Sequence, residues 1–423
     1  MATYTFLGHR LARVASLALF FTASIANTSV LADAPEDAYL LHKRLKTFDA
    51  RVDIRPSYGS RFEDAGRRIG HPVDLVKMRS GGLDFALFSA FTPQGALDEN
   101  AYRLAREVSF SRVFAVQRVV QKYPEKVELI RRSDDFERLS NDQILGFMIA
   151  VENGYPIGTE IGWVGRYYDE GARVFAFTQF GHNQLATSSI AEERLGQTPA
   201  GPDEGLSALG VQVLAELNRL GMIADISHAS DAAARNIIAG SKAPVIASHS
   251  AVRSLVNHPR NLSDDLIKAV AATGGVVHIV ALEDYVIGEK KEKELARQVV
   301  KDRYDVRSQV DIAALPVETR AEFEAALNEI DNIYGRSTLE DYLKHIDYAV
   351  KLVGVDHVGI ASNFGGGGGV VGWSNAEDSP NVTEGLLAHG YDAAAIEKLW
   401  AGNFIRVFRQ VEQVARDLQL QAN

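Results

Sequence analysis

Eight short β-branched or aromatic runs, most of them nearly continuous apolar stretches and each followed by a longer stretch with helical spacing, restrict the folds open to this chain. The runs are Thr47–Ile54, Phe85–Phe91, Phe147–Val151, Val174–Thr178, Met222–Ser227, Pro244–Ser248, Gly275–Val280 and Val358–Ser362. Strands that are apolar along their whole length are buried on both faces, as in parallel sheets covered by helices. Between them lie patterns such as Gly205–Leu220, where Leu206, Leu209, Val213, Leu217 and Leu220 recur on one helical face. Strand–helix alternation implies parallel pairing, and eight units imply closure into a (β/α)8 barrel.

Polar residues fall at telling places. Asp53 lies near the end of the first run and Glu152 directly follows the third. Gln179 follows the fourth, His228 the fifth, His249 the sixth and Asn363 the eighth. A barrel of this type carries its site at the carboxyl ends of its strands, so these side chains are expected at one mouth. A doubly wound open sheet is the rival, but no Gly-x-Gly-x-x-Gly follows an early strand. The glycine run Gly365–Gly369 lacks the lysine of a phosphate loop and reads as a flexible loop at the rim. Two segments read as additions to the core. Lys122–Gln143 is charged and expected to be helical, and Glu283–Tyr342 contains the charged run Glu289–Lys293.

Residues 1–34 read as a secretory signal peptide rather than as part of the fold. Arg10 and Arg13 form a positive n-region, and the apolar run from Val14 to Ala26 is too short to span a bilayer stably. Small residues then offer a cleavage site at Val30-Leu31-Ala32 or Ala32-Asp33-Ala34. Residues 35–423 are expected to form a single barrel domain, periplasmic or secreted, with no membrane span once the leader is removed. With no cysteine in the chain, disulfides are excluded and the core alone must hold the fold. The formal net charge of −10 argues against nucleic acid as a partner, because phosphate binding needs a basic face.

Two histidines and a carboxylate at separate strand ends suit a zinc-type ion. Imidazole nitrogen and carboxylate oxygen both ligate it, and an open position lets it activate water. Glu152, His228 and His249 are the candidate ligands. A buried charge without partner or metal would be costly, which favours the same reading.

The stretch Gly205–Val277 closely resembles the membrane (renal) dipeptidase family. It carries Leu217-Asn218-Arg219-Leu220-Gly221-Met222, Asp225-Ile226-Ser227-His228, Ala243–Ser250 ending in Ser248-His249-Ser250, and His258-Pro259-Arg260-Asn261. Arg79-Ser80-Gly81-Gly82 and Gly402-Asn403-Phe404 extend the match, with gaps, from about Phe48 to Val414. The resemblance implies a distorted (β/α)8 TIM barrel with helical insertions, two zinc ions, hydrolysis of dipeptides and a homodimer. By position, Glu152 matches the carboxylate that bridges the two metals, and His228 and His249 match the histidine ligands of the second. Arg260 matches the arginine that binds the substrate's carboxylate; its plain alternative is a salt bridge to Asp264 or Asp265.

The pattern breaks at three positions. Where relatives carry His-x-Asp on the first strand, both residues holding the first metal, this chain has Arg51-Val52-Asp53, so the resemblance makes Asp53 a fourth candidate ligand. A guanidinium has no lone pair to offer a metal. Thr-His becomes Thr178-Gln179, with His182 as a spatial substitute, and Ser-Asp-Phe-Asp-Gly becomes Ser362-Asn363-Phe364-Gly365-Gly366. Asn363 cannot serve as a general base, so Gln179 and Asn363 stand at altered catalytic positions. The expectation is one remaining zinc on Glu152, His228 and His249, with Arg51 near the lost site, paired to Asp53 or Glu152. The expected function is hydrolysis of dipeptides or small amides. Two alternatives keep the fold: maturation of a secreted peptide natural product such as a pyoverdine-type siderophore, or a non-catalytic binding role.

Overall fold

In the computed structural model, which describes residues 37–199, 201, 204–288, 290–306 and 315–422, each of the eight apolar runs forms a strand. The expected leader lies outside the described residues. The strands are β1 Phe48–Asp53, β2 Phe85–Phe91, β3 Val127–Leu129, β4 Leu145–Glu152, β5 Ala172–Ala176, β6 Ile223–Asp225, β7 Ile246–Ser250, β8 Val276–Val280 and β9 Val358–Ala361. All pairings are parallel, in the order β1-β2-β4-β5-β6-β7-β8-β9. The ring closes through a bridge between Val52 and Phe364, where Asp53 N–H donates to the Phe364 carbonyl at 2.8 Å. This is a nearly closed (β/α)8 barrel.

Two-residue periodicity sorts the strand side chains into two layers. Phe48, Phe85, Leu87, Met148, Ala150, Val174, Ile223, Ile246, Val276 and Ala361 form one buried cluster, joined by Phe404, Val407 and Phe408 of the C-terminal helix Asn403–Ala422. Ala86, Phe88, Phe147, Ile149, Phe175, Ala224, Ala247, Val277 and Ile360 pack in another, against the surrounding helices. On β1, Ala50 belongs to the first layer and Val52 to the second. The register shift between Asp49 and Val52 changes parity there. It lets Arg51 and Asp53 share the inner side at the mouth.

The ladder is thinnest at β1/β9 and at β6/β7, and at both junctions an aspartate replaces missing backbone bonds. Asp49 Oδ1 accepts from Arg51 N–H at 3.2 Å and from Ser362 N–H at 2.9 Å, bridging the closing seam. Asp225 Oδ1 does the same for Ser227 N–H at 2.9 Å and Ser248 N–H at 3.0 Å, where only one residue pair joins β6 to β7. Each carboxylate therefore satisfies donors that an irregular ladder would orphan.

Three expectations need correction. Lys122–Gln143 is not simply helical: Val127–Leu129 adds a short strand beside β4, and only Asp135–Asp142 is helical after the preceding helix ends at Lys122. The fifth run yields just three ladder residues, because past Asp225 the backbone turns toward His228, which adopts φ 70°. Gly365–Gly369 lies at the rim with Gly365–Gly367 exposed, as expected, but it is tied to its neighbours rather than free of them. A side chain at Gly365 or Gly366 would strike the carbonyl or carboxylate of Asp53, and Gly369 N–H donates to the Ala281 carbonyl at 2.7 Å. Glycine is required by that approach and by φ near +80° at Gly365. The insertion after β8 is helical as expected, over Glu283–Val286, Lys291–Arg303 and Val317–Tyr334. No described helix is long and apolar enough to cross a membrane.

The first helix, Ala38–Arg44, is fixed to the barrel by a buried imidazole. Trp400 Nε1–H donates to Thr383 Oγ1 at 2.9 Å, and His42 Nε2 lies 2.8 Å from the Gly81 carbonyl. A carbonyl only accepts, so Nε2 carries the proton and Nδ1 accepts from the Thr383 hydroxyl at 2.7 Å. Only neutral His42 satisfies all three groups. Burial, opposed by the bond to Gly81, lowers its pKa to about 4 from 6.5. The unfolded chain therefore takes up this proton first as the medium is acidified. The stabilisation is complete above pH 6.5 and is lost as pH falls toward 4, by about 3 kcal/mol in all. In urea unfolding at pH 7 and pH 4, His42→Gln is expected to lose about that much less stability than the wild type across this interval. Equal losses in both proteins would show that His42 is not the linked group.

Candidate metal centre

Among the described residues, Glu152, His228 and His249 form a buried group whose ligand atoms all lie within 4.8 Å of one another. Glu152 ends β4, His228 follows β6, and His249 sits in β7. His228 Nε2 is 3.0 Å from His249 Nε2, and Glu152 Oε1 is 3.1 Å from the first and 3.7 Å from the second. Burial, reinforced by the charge of Arg260, lowers His228 to about 3, and burial with the charge of Arg51 holds His249 well below its ordinary value. Both rings are therefore neutral at pH 7, with lone pairs to offer. Glu152 Oε1 is buried and has no hydrogen bond despite its near neighbours. Two imidazole nitrogens and a carboxylate oxygen converging this closely in a buried place fit a cation bound by nitrogen and oxygen.

The other Glu152 oxygen is fully engaged. Oε2 accepts from Ser89 Oγ–H at 2.6 Å and pairs with Arg51 Nη1. Arg51 Nη2 reaches Asp53 Oδ2 at 2.8 Å, and Nη1 also donates to Ser89 Oγ at 3.2 Å. Thus Arg51 pairs with both carboxylates, as the altered first-strand motif suggested. Burial would raise Glu152, but Arg51 and His228 hold it well below the usual carboxylate range. Asp53 is pushed up by burial, against the charge of Arg51. Asp53 is not brought into the three-residue group: its Oδ2 is taken by the guanidinium, and its Oδ1 is buried without a partner.

Arg260 is 2% exposed and does not pair with Asp264, whose carboxylate accepts from Ser254 and Tyr348 instead. Its Nη2 donates to the His249 carbonyl at 2.9 Å, its guanidinium lies 5.4 Å from the centre of the Tyr285 ring, and its Nε–H is buried and unpartnered. A cation held by neutral groups beside the centre is suited to an incoming anion.

The altered positions have local duties. Gln179 uses its side-chain oxygen to accept from Phe180 N–H at 2.6 Å. Asn363, at φ 57°, donates from Nδ2 to the Gly366 carbonyl at 3.0 Å. His182 does not stand in for a lost ligand. Its Nδ1 accepts from Ser188 N–H and its Nε2 meets the Thr198 carbonyl, which ties it into its own loop. Sequence reasoning missed Ser89 and Tyr285. Ser89 was detectable as the only polar residue in the run Phe85–Phe91; nothing in the sequence tied Tyr285 to Arg260.

The sequence profile described as membrane dipeptidase (peptidase family M19) matches residues 36–422. This chain belongs to that family. Among M19 relatives, mouse dipeptidase 3 is 30% identical over 386 residues, covering 90% of this chain and 67% of the mouse protein. Rat dipeptidase 3 is 28% identical, with 81% of this chain matched to 59% of the rat protein. Among solved structures, the probable dipeptidase PvdM from Pseudomonas aeruginosa superposes with a TM-score of 0.79 at 32% identity, covering 89% of this chain and 98% of that one. A Rhodobacter sphaeroides metallopeptidase liganded with a phosphinate mimic of L-Ala-D-Ala shares the fold, with a TM-score of 0.65 at 18% identity. The M19 family is one of metallopeptidases, which agrees with the candidate centre built here.

Removing the guanidinium should expose the electrostatic bargain at this centre. Arg51→Met leaves two buried carboxylates facing each other and is expected to destabilise the protein by about 3–5 kcal/mol at pH 8. Protonating one of them relieves the repulsion, so the deficit relative to the wild type should shrink at pH 5. Urea unfolding at the two pH values checks this; a deficit independent of pH would refute the ion-pair account.

Proposed function

We propose that this chain is an exported, zinc-dependent hydrolase of dipeptides or related small amides that works with one ion. The observation that supports this most directly is the convergence of Glu152 Oε1, His228 Nε2 and His249 Nε2, all buried and within 4.8 Å of one another. An ion bound there would polarise a substrate carbonyl and lower the pKa of water. A second ion does not fit between Asp53 and Glu152, because the Arg51 guanidinium bonds to both carboxylates. Arg51 holds one Glu152 oxygen and leaves the other for the ion. Arg260, beside His249, is the anchor for a substrate carboxylate, its unpartnered Nε–H giving it a donor to spare. Export rests on the leader pattern of residues 1–34.

A second reading is favoured by one specific observation. No titratable side chain stands at position 363, and the Asn363 amide is spent on the glycine loop. A family member without that carboxylate suits tailoring of a secreted peptide natural product better than rapid dipeptide turnover.

Metal analysis of zinc-loaded, desalted protein is expected to give about one equivalent per chain, and less in His249→Ala. Two tightly held equivalents in the wild type would overturn the single-ion reading. The double change Arg51→His with Asn363→Asp is expected to raise both zinc content and hydrolysis of a dipeptide library. One zinc with no turnover in the wild type would favour tailoring over hydrolysis.

A further inference from the structure

We propose that Asp225 and Ser248 are positioning residues that fix the tautomer of His249, so that its Nε2 lone pair faces Glu152 and His228. This rests on reading that group as a metal site. Asp225 is 2% exposed, and holding the β6/β7 junction occupies only its Oδ1. Its Oδ2 accepts the single hydroxyl proton of Ser248 at 2.5 Å. With that proton committed, Ser248 Oγ, 2.7 Å from His249 Nδ1, can only accept. Nδ1 must then carry the ring's proton, and Nε2 is left bare. Ser227 completes the network: its Oγ accepts from His249 N–H at 3.1 Å and lies 3.4 Å from Ser248 Oγ.

The seam between β1 and β9 provides an internal comparison. There Asp49 makes the same three contacts to Arg51 N–H, Ser362 N–H and the Ser362 hydroxyl, but Ser362 Oγ then accepts from the Phe364 backbone. That version ends in backbone and serves the fold alone. At β6/β7 the chain of bonds continues into an imidazole of the centre. Outer partners of this kind orient metal-ligating histidines and set their tautomer.

Asp225→Asn tests the idea because it separates the two roles. The amide oxygen keeps both backbone N–H bonds, but its NH2 group must donate to Ser248. The Ser248 hydroxyl then turns to donate to His249 Nδ1, and the ring proton moves to Nε2. Zinc affinity, measured by chelator competition on the full chain, is expected to fall at least about tenfold. Adding Ser248→Ala to that variant removes the misdirecting hydroxyl, so the double variant is expected to bind zinc more tightly than Asp225→Asn alone. A purely structural staple predicts the opposite, a further loss. Wild-type affinity in Asp225→Asn, or a double variant no better than the single one, would overturn the proposal. Nitrogen NMR of histidine-labelled, zinc-free wild type, assigned with His249→Ala, gives an independent readout. His249 is expected to be protonated at Nδ1, and a proton on Nε2 would overturn the assignment. Were the wild type to bind no zinc, the metal reading would fall, and the tautomer seen by NMR would still decide this one.

Discussion

Burial of the Glu152 carboxylate is the constraint around which this centre is built. An isolated carboxylate at 1% exposure would cost several kcal/mol. The chain meets that cost asymmetrically. One oxygen has a guanidinium and a hydroxyl, and the other faces two imidazole nitrogens without a hydrogen bond. Because Arg51 sits between Glu152 and Asp53, the second carboxylate of the mouth shares the same cation through its Oδ2. The parity change on β1 makes this possible, since it turns Arg51 and Asp53 to the inner side together.

The backbone is least regular where the chemistry gathers. Asn153, His228 and Asn363 all adopt positive φ within three residues of the ends of β4, β6 and β9, a conformation uncommon for residues other than glycine. The two aspartate staples stand at the thinnest junctions of the ring. Irregularity at a strand end sends the next side chain sideways into the mouth, which a continuing ladder would forbid. The carboxylates of Asp49 and Asp225 recover the hydrogen bonds that this geometry gives up.

Much of this was legible in the residues. Most of the eight strands announced themselves because burial on both faces leaves few polar interruptions, and Glu152, His228 and His249 stood out as polar residues at strand ends. The pairing of Arg51 with its carboxylates followed from charge and chemistry. Other features depend on tertiary context. Val127–Leu129 is too short and too embedded among charges to signal a strand, and its pairing is supplied by β4. The five glycines read as slack because composition cannot show that Asp53 lies against them. His182 could be placed only by its own loop, and the reach of Arg260 to the His249 carbonyl comes from the turn of the loop that follows β7, not from spacing.

An arginine at position 51, where the family resemblance implies a metal-binding histidine, also changes what the fold requires of its surroundings. A mouth with two carboxylates and no cation is destabilised until metal arrives, so folding and metal supply are coupled. Here Arg51 pairs with both Asp53 and Glu152 while both histidines stay neutral. Both carboxylates of the mouth therefore have a cation before any metal ion binds. A guanidinium offers directed N–H donors but no exchangeable coordination position. Arg51 thus secures the fold without offering a place where water or substrate could be activated, and under the proposed single-ion reading Glu152 Oε1 and the two imidazoles are the part of the mouth open to an ion.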